Sequence, residues 1–287
     1  MRMEQICLTS TARQRSREAR RNGKRIGFVP TMGYLHEGHL SLVRTAIRQT
    51  DFCVVSVYVN PTQFGQGEDL ASYPRDLEKD RCLLEAEGVD ILFTPTDDQM
   101  YPGMDQTRVF VPKLANGLCG AFRPTHFEGV CRIVAKLFHV VEPDVAYFGQ
   151  KDYQQAAILR KMAQDLLMPV EICILPTIRD NDGLAMSSRN IYLDPLERQA
   201  ALSLHQGLQQ GKGLVMRGEN SPSRIEAAVR EVIESNPLVQ SVDYVAVVDP
   251  DGLQPCFFPL RLPILIAVAA HVGKARLIDN VYVTGDG

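Results

Sequence analysis

The hydrophobic positions of the chain follow two periods, one typical of buried strands and one typical of helices. From Ile26 onward, short apolar runs rich in Val and Ile are separated by longer segments whose apolar residues recur every three or four positions. The run from Cys53 to Val59 is almost continuously apolar, as expected for a strand that helices cover on both faces. The pattern therefore predicts repeated strand-helix-strand units.

These units occupy the first two thirds of the chain. The predicted strands are 26–29, 52–59, 89–93, 145–148 and 170–174. The predicted helices are 40–48, 76–87, 129–141 and 152–167. Such a succession predicts an α/β fold with a doubly wound, Rossmann-like parallel sheet, in which ligands bind at the carboxyl ends of the strands.

The pattern changes at the polar turn cluster of residues 179–183. Two helical segments follow, and then strands are predicted at 242–248, 264–270 and 276–283, the last two joined by a hairpin turn. We predict a Rossmann-like domain at 1–178 and a smaller α+β C-terminal lid domain at 179–287. The glycines of Gly211-Lys212-Gly213 predict a flexible stretch in the second domain.

Composition narrows the classes of partner. The chain of 287 residues carries a net charge of −3, so it has no positive field to hold a nucleic acid, and a small-molecule substrate is expected. The longest uncharged apolar run, 262–270, contains Pro263 and is too short to cross a bilayer. The Arg-rich start lacks the apolar stretch of a secretory signal. Seven scattered cysteines without a CxxC pair predict reduced thiols in the cytoplasm rather than disulfides or zinc.

The most informative segment, residues 29–40, runs from the first predicted strand into the first helix. His36 and His39 are three positions apart, so both can face a ligand over the helix N-terminus, where unpaired N–H groups favour phosphate. Imidazoles there would stabilise the charge that builds on a phosphate under attack. The alternatives are a helix cap and a zinc site; Gly38 and the short spacing argue against zinc.

Two later segments have the same character. Residues 147–155 again join a strand to a helix; Lys151 can reach phosphates and Gln155 can bind a hydroxyl or carboxylate, although Lys151 and Asp152 also suit a surface ion pair. Residues 183–190 offer two serine hydroxyls and Arg189 as a triphosphate clamp. A helix cap is the alternative for these serines, but Asp194-Pro195 already caps the next helix and leaves them available.

Four boxes occur in order along the chain, and together they carry a specific resemblance. They are Pro30-Thr31-Met32-Gly33 with His36 to His39, Asn60-Pro61-Thr62-Gln63-Phe64, Gly149-Gln150-Lys151-Asp152 with Gln154-Gln155, and Met186-Ser187-Ser188-Arg189-Asn190. The chain thereby resembles the pantothenate synthetase (pantoate–β-alanine ligase) family of the HIGH-motif nucleotidyltransferase superfamily. The match by motif extends from residue 26 to about residue 195.

The resemblance implies a role for each box. It implies that His39 is a proton donor and that His36, Lys151 and Arg189 assist the chemistry. Gln63 and Gln155 would hold pantoate, with Gln63 also near the β-alanine entrance. The implied ATP-binding residues are Pro30, Thr31, Met32, Gly33, Tyr34, Leu35, His36, Glu37, Gly38, His39, Gly149, Gln150, Lys151, Asp152, Ile178, Met186, Ser187, Ser188 and Arg189.

The resemblance also implies the reaction and its partners. Pantoate would attack the α-phosphate of ATP and release pyrophosphate, and β-alanine would then attack pantoyl adenylate and release AMP. Mg²⁺ would accompany ATP; Asp80 is a candidate ligand, with a solvated helix carboxylate as the alternative. Relatives suggest a homodimer. Gln150 stands where many relatives have Glu, and His126 is a candidate for lining the substrate entrance.

Three other classes of protein remain open on the residues alone. Another nucleotidyltransferase of this superfamily would share the histidine box but would lack the paired glutamines and the Met-Ser-Ser-Arg box. A fragment of an aminoacyl-tRNA synthetase is disfavoured by the absence of lysines from that box and by the acidic balance of the chain. A nucleotide-sensing protein would bind ATP without releasing pyrophosphate.

Overall fold

The computed structural model describes residues 3–103 and 105–285, and the chain forms two compact units. The first unit consists of the chain up to Pro112 together with Arg123–Gly149 and Ile158–Pro176. The second unit consists of Lys113–Phe122, Gln150–Ala157 and the chain from Thr177 onward. The second unit thus combines the predicted C-terminal region with two short segments from earlier in the chain.

A six-stranded sheet forms the centre of the first unit. Its strands are β1 (Glu4–Ile6), β2 (Ile26–Thr31), β3 (Phe52–Val57), β4 (Ile91–Phe93), β5 (Val145–Gly149) and β6 (Glu171–Leu175). Their spatial order is β1-β4-β3-β2-β5-β6 and every pairing is parallel, which confirms the doubly wound α/β prediction. The order reverses between β2 and β5, and this reversal is the usual place for a ligand in such sheets.

Ten helices accompany the strands in the described part of the chain. They are α1 (Thr9–Arg21), α2 (Glu37–Gln49), α3 (Leu77–Glu87), α4 (Asp97–Met100), α5 (Pro112–Ala115), α6 (Cys119–Phe122), α7 (His126–Val141), α8 (Tyr153–Asp165), α9 (Pro195–Met216) and α10 (Pro222–Glu234). Single 3₁₀ turns occur at Pro61–Gln63, Gln150–Asp152 and Ser188–Tyr192. Among these helices none is long and apolar enough to span a membrane.

The core of the first unit forms because the β2, β3 and β5 strands are apolar on both faces. Val29, Val55 and Tyr147 are fully buried, and they pack with Leu40 and Val43 of α2. Each such side chain contributes about 1.5–3 kcal/mol through burial. The packing fixes α2 against the sheet, and only residues 32–36 separate the start of α2 from the end of β2.

The second unit is built on an antiparallel sheet of three strands. These are β7 (Val239–Val248), β8 (Ile264–Val272) and β9 (Ala275–Val283), in the order β7-β8-β9. Leu208 of α9, Ile225 of α10 and Ile266 of β8 are fully buried in one apolar cluster between the helices and the sheet. The two helices and the antiparallel sheet confirm the α+β fold predicted for the C-terminal region.

Helix α9 contradicts one prediction. Gly211-Lys212-Gly213 lies inside this helix and is not a flexible stretch. A Cβ atom on Gly211 would lie 2.6 Å from Cγ2 of Val229 in α10. The glycine therefore permits two helices to pack closely, a reason that the local sequence does not reveal.

Candidate active site

The first predicted box forms a tight turn between β2 and α2. Gly33 and Tyr34 both have left-handed backbone conformations, with φ of +83° and 53°. A side chain at Gly33 would meet Cγ1 of Val57 at 2.8 Å, so only glycine fits this position. Thr31 Oγ1 accepts a hydrogen bond from the Gly33 N–H (3.2 Å). The sharp turn directs the chain from the sheet into the first turn of α2.

Asp80 of α3 holds this turn in place. Its two carboxylate oxygens accept hydrogen bonds from the backbone N–H groups of Tyr34 (2.8 Å) and Leu35 (2.7 Å). The residue is only 1% exposed, and this burial raises the pKa of the Asp80 carboxyl, against the lowering effect of the two N–H groups. The metal assignment of Asp80 stays a prediction, whereas its contacts support a structural role for the nucleotide box.

His36 and His39 form the N-terminal cap of α2. Nδ1 of His36 accepts a hydrogen bond from the Gly38 N–H (3.1 Å), and Nδ1 of His39 accepts one from the His36 N–H (3.3 Å). The two ring centroids are 4.1 Å apart. Because both Nδ1 atoms act as acceptors, each neutral ring carries its proton on Nε2. The capping interpretation and the catalytic one are therefore compatible, since capping uses the opposite ring nitrogen.

The carboxylate of Glu37, the first residue of α2, is neutralised by an ion pair within the helix. Glu37 forms an ion pair with Arg44, which lies about two turns further along the same face of α2. Arg44 also pairs with Glu87 of α3 (2.7 Å). An anion at the helix N-terminus is repelled less when the nearby carboxylate is paired. This arrangement leaves the N-terminus of α2 suited to phosphate.

Gln63 lies beside the first box. Its Nε2 donates to Sδ of Met32 (3.0 Å), and its Oε1 accepts from Nδ2 of Asn60 (3.1 Å). The Asn60 Nδ2 also donates to the carbonyl of Gly129 (3.2 Å), and its Oδ1 accepts from the Tyr101 hydroxyl (2.7 Å). The first and second predicted boxes thus meet within this unit. Asn60 belongs to the second box but its pattern predicts no role for it, and Tyr101 carries no sequence signal at all.

His126 supports the backbone of this turn. Its Nδ1 lies 2.8 Å from the carbonyl oxygen of Gln63, which can only accept, so Nδ1 carries the proton. Its Nε2 then accepts from Nη1 of Arg123 (3.2 Å). Arg123 in turn forms an ion pair with Glu68 (2.5 Å). His126 accordingly holds Gln63 from behind, and its place at the substrate entrance stays a prediction.

The third box belongs to two units, because β5 ends at Gly149 in the first and Gln150–Asp152 form a 3₁₀ turn in the second. Nζ of Lys151 lies 3.7 Å from the Asp152 carboxylate. The side chain of Lys151 is 19% exposed, whereas that of Asp152 is 50% exposed. The predicted surface ion pair is thus present but loose. Gln155 is half-buried on the first turn of α8.

The fourth box follows a small hairpin. Residues Arg179 and Ala185 form an antiparallel bridge, and the Met186 N–H donates to the Ile178 carbonyl (3.0 Å). Ser187 Oγ accepts from the Arg189 N–H (3.3 Å) and caps the 3₁₀ turn that starts at Ser188. The interpretation that no cap needs these serines is therefore wrong for Ser187, because the 3₁₀ turn presents its own unpaired N–H groups.

In the described residues, no group of three or more His, Cys, Asp or Glu side chains is arranged to hold a metal ion.

Comparisons with known proteins identify the family of the chain. The model of the family described as pantoate-beta-alanine ligase matches residues 5–282. The chain is 52% identical over 272 residues to the pantothenate synthetase of Thermoanaerobacter pseudethanolicus, covering 95% of each chain. It is 53% identical over 268 residues to that of Heliobacterium modesticaldum, covering 93% of this chain and 95% of the relative.

Two solved structures extend the likeness to the fold. The crystal structure of pantothenate synthetase from Thermus thermophilus superposes with a TM-score of 0.91 at 44% identity, covering 97% of this chain and 99% of the other. The pantoate-beta-alanine ligase of Francisella tularensis, complexed with beta-gamma ATP and beta-alanine, gives 0.79 at 30% identity, covering 98% and 97%. The chain belongs to the pantoate-beta-alanine ligase family.

Proposed function

We infer that the chain joins (R)-pantoate to β-alanine in an ATP-dependent reaction that forms pantothenate. A pantoate carboxylate oxygen attacks the α-phosphorus of ATP, the bond to the β,γ-pyrophosphate breaks, and pantoyl adenylate forms. The β-alanine amine then attacks the acyl carbon, and AMP leaves with the oxygen that came from pantoate. Family membership over residues 5–282 and the ATP and β-alanine complex of the Francisella relative support this reaction.

The observation that carries the proposal is the N-terminus of α2 with its two imidazoles. Both rings are fixed through Nδ1, so their Nε2–H groups need no reorganisation when charge builds on the α-phosphate. His39 acts as the proton donor and His36 as a second donor to phosphate oxygens. The backbone N–H groups of the first turn add to the same field.

We assign further charged and polar side chains to the phosphates. Lys151 binds the phosphates as a point charge, Arg189 offers a planar fork of donors, and the hydroxyls of Ser187 and Ser188 complete the clamp. Gly149 to Asp152, Ile178 and Met186 line the nucleotide. The half-buried position of Lys151 supports its role, since a partly desolvated ammonium binds phosphate more strongly than a fully exposed one.

Gln63 and Gln155 hold pantoate through their amides. Gln63 suits this role because Asn60 and Met32 fix both ends of its amide, so that substrate meets a preoriented group. Its buried amide can donate to the pantoate carboxylate or accept from a hydroxyl.

Mg²⁺ enters with ATP as part of the substrate. No cage of three acidic or histidine ligands exists among the described residues, and both oxygens of Asp80 already accept backbone N–H groups. An ion that takes its ligands from the triphosphate and water fits such a site. It would neutralise phosphate charge.

We also propose that the chain forms a homodimer and that it acts in the cytoplasm. The seven free cysteines, of which Cys7 and Cys82 are exposed, suit a reducing compartment. Light scattering at several concentrations tests the dimer; a mass of about one chain, 32.0 kDa, at all of them would contradict it.

An isotope experiment tests the reaction. Pantoate labelled with ¹⁸O in its carboxylate should transfer one label to AMP and none to pyrophosphate, and labelled AMP should appear only after β-alanine is added. Pyrophosphate should require pantoate. Label in inorganic phosphate, or pyrophosphate release without pantoate, would contradict the adenylate route.

The role of Lys151 can be tested by substitution, with Lys161 as the matched control. Lys151→Met should lower pantoate-dependent pyrophosphate release about a hundredfold, since a preoriented charge at the phosphates is removed. Lys161→Met removes a lysine that pairs with Asp165 on the exposed face of α8, and it should leave the rate unchanged. Equal effects of the two substitutions would argue against a role for Lys151.

A further inference from the structure

Two adjacent polar residues interrupt the apolar strand β9. Asp279 is 3% exposed and Asn280 is 4% exposed, although the sheet they belong to packs an aliphatic core. Buried polar groups are costly unless hydrogen bonds satisfy them. Neither residue belongs to any of the four boxes, but both form hydrogen bonds to segments that carry box residues.

Asn280 binds the turn that carries Lys151. Its Nδ2 donates to the carbonyl oxygens of both Gln150 (2.9 Å) and Lys151 (2.9 Å). Its Oδ1 accepts from Nε2 of Gln150 (3.3 Å). Both hydrogens of the amide are thus used on consecutive carbonyls of the 3₁₀ turn Gln150–Asp152. This arrangement fixes the backbone from which the Lys151 side chain extends.

Asp279 binds the hairpin that leads to the fourth box. Nη1 and Nη2 of Arg179 donate to Oδ2 (2.6 Å) and Oδ1 (2.9 Å) of Asp279, a bidentate pair. Nη1 of Arg179 also donates to the Gly183 carbonyl (3.1 Å). The same guanidinium therefore connects the strand to both sides of the hairpin, directly before Met186.

The two contacts originate from neighbouring residues on one strand. Oδ1 of Asp279 also accepts the backbone N–H of Asn280 (2.8 Å), which joins the two side-chain networks. A buried ion pair adds little net stability compared with apolar residues of the same volume, but it fixes a single geometry. The third and fourth boxes of the second unit are thereby tied to one short, rigid piece of sheet.

We propose that Asp279 and Asn280 are positioning residues that hold the Lys151 turn and the Met186–Arg189 segment in the setting that binds the phosphates of ATP. The proposal rests on the proposed function. As positioning residues they act through the backbone of Gln150 and Lys151 and through Arg179. Their loss should therefore weaken the use of ATP more than the use of pantoate.

Two near-isosteric substitutions test the proposal in the full chain. Asn280→Asp replaces the donating amide with an acceptor that faces two carbonyls, and Asp279→Asn removes the charge that binds Arg179. Each should lower kcat/KM for ATP about tenfold or more, the effect of losing one or two charge-assisted or buried hydrogen bonds. The KM for pantoate should stay within about twofold.

Asp243→Asn is the matched control. Asp243 lies in β7 of the same sheet, pairs with Nε of Arg276 (2.7 Å) and belongs to none of the four boxes. It should lower the melting temperature, because like Asp279→Asn it breaks a partly buried ion pair, while leaving kcat/KM for ATP unchanged. A parallel loss of ATP use in all three variants would overturn the proposal and indicate general loosening of the unit.

Two further readouts separate positioning from simple destabilisation. Asn280→Asp should recover part of its ATP use as the pH falls, because a protonated carboxyl can again donate one hydrogen bond. Arg179→Gln combined with Asp279→Asn should cost less than the sum of the two single losses, since both substitutions break the same ion pair. Fully additive losses, or variants with unchanged ATP use and only a lower melting temperature, would overturn the proposal. If the unaltered chain releases no pyrophosphate with pantoate, the proposed function fails instead.

Discussion

Each imidazole of the nucleotide box has two tasks that lie on opposite sides of the ring. Nδ1 of His39 caps the helix by accepting the His36 N–H, and Nε2 is the proposed donor to phosphate. A substitution can therefore remove the second task and keep the first. This separation makes the pair useful for experiment, because most catalytic substitutions disturb structure and chemistry together.

His39→Asn should separate the tasks. The Asn Oδ1 occupies nearly the place of Nδ1, so the cap remains and the free energy of unfolding should change by less than about 0.5 kcal/mol. Loss of the Nε2 donor should lower pantoate-dependent pyrophosphate release by about 10²–10³-fold. Denaturant unfolding and the pyrophosphate assay measure the two quantities. A large fall in stability with an unchanged rate would contradict the assignment.

Asp80→Asn should loosen the turn of Gly33 and Tyr34. The amide supplies one acceptor where the carboxylate supplies two, so a buried N–H is left unpaired at about 1–3 kcal/mol. Catalysis should fall as well, because the nucleotide box loses its support. Leu77→Ala, at a more exposed position of the same helix, is the control and should change neither quantity as much.

The pH dependence of stability gives Asp80 a second signature. Its pKa is raised in the folded chain, so just above pH 3.8 the folded state holds more protons than the unfolded state. Stability from this group therefore declines as the pH rises through the folded pKa. Asp80→Asn should remove that part of the slope; an identical slope in both proteins would contradict the raised pKa.

At the scale of elements, α7 and the turn at Pro61–Gln63 meet through a glycine. A Cβ atom on Gly129 would lie 2.3 Å from the Thr62 carbonyl oxygen and 2.7 Å from Cα of Gln63. Helix and turn therefore touch backbone to backbone. The close contact sets how far Gln63 projects toward its proposed substrate.

Gly129→Ala should push this turn away from α7. We expect a loss of about 1–3 kcal/mol in stability from overpacking and a raised KM for pantoate. Gly213→Ala is the control, because its Cβ would meet only the flexible end of the Arg217 side chain, which lies just beyond the end of α9. That substitution should stabilise the helix by up to about 1 kcal/mol. An unaltered KM for pantoate in Gly129→Ala would contradict the proposed role of the turn.

Sequence patterns at this scale predicted types of element better than their ends. Helix α2 starts at Glu37 rather than at residue 40, because a histidine caps it and histidine is not a usual cap residue. Strand β1 was missed, since three residues that include two polar ones have no readable alternation. The glycine of α9 was misread because its reason is a neighbour on another helix.

At the scale of the whole molecule, the four boxes could be predicted from the sequence. Each lies at a strand end or in a loop beside a helix, and ligands bind at such places in doubly wound folds. Their supports were not readable. Asp279, Asn280 and Tyr101 act through contacts with residues 39 to more than a hundred positions away in the chain. Without knowledge of which segments meet, a polar residue in a strand has no visible partner.

The composition of the second unit predicts how an isolated C-terminal fragment should behave. The isolated segment 179–287 would lack Gln150–Ala157, so the Asn280 amide would lose the two carbonyls it binds in the second unit. We expect this fragment to unfold less cooperatively alone than in a complex with two added peptides, residues 113–122 and 150–157. Amide hydrogen exchange in β9 measures the difference. Equal protection with and without the peptides would show that 179–287 folds alone.

The capping contacts also give the histidines a spectroscopic identity. A ring nitrogen that accepts a hydrogen bond and one that bears a proton resonate far apart in a ¹⁵N spectrum. His36 and His39 should both appear as the Nε2–H tautomer, whereas His126, which donates through Nδ1 to Gln63, should appear as the opposite one. The same three signals would then report, residue by residue, when ATP and pantoate arrive.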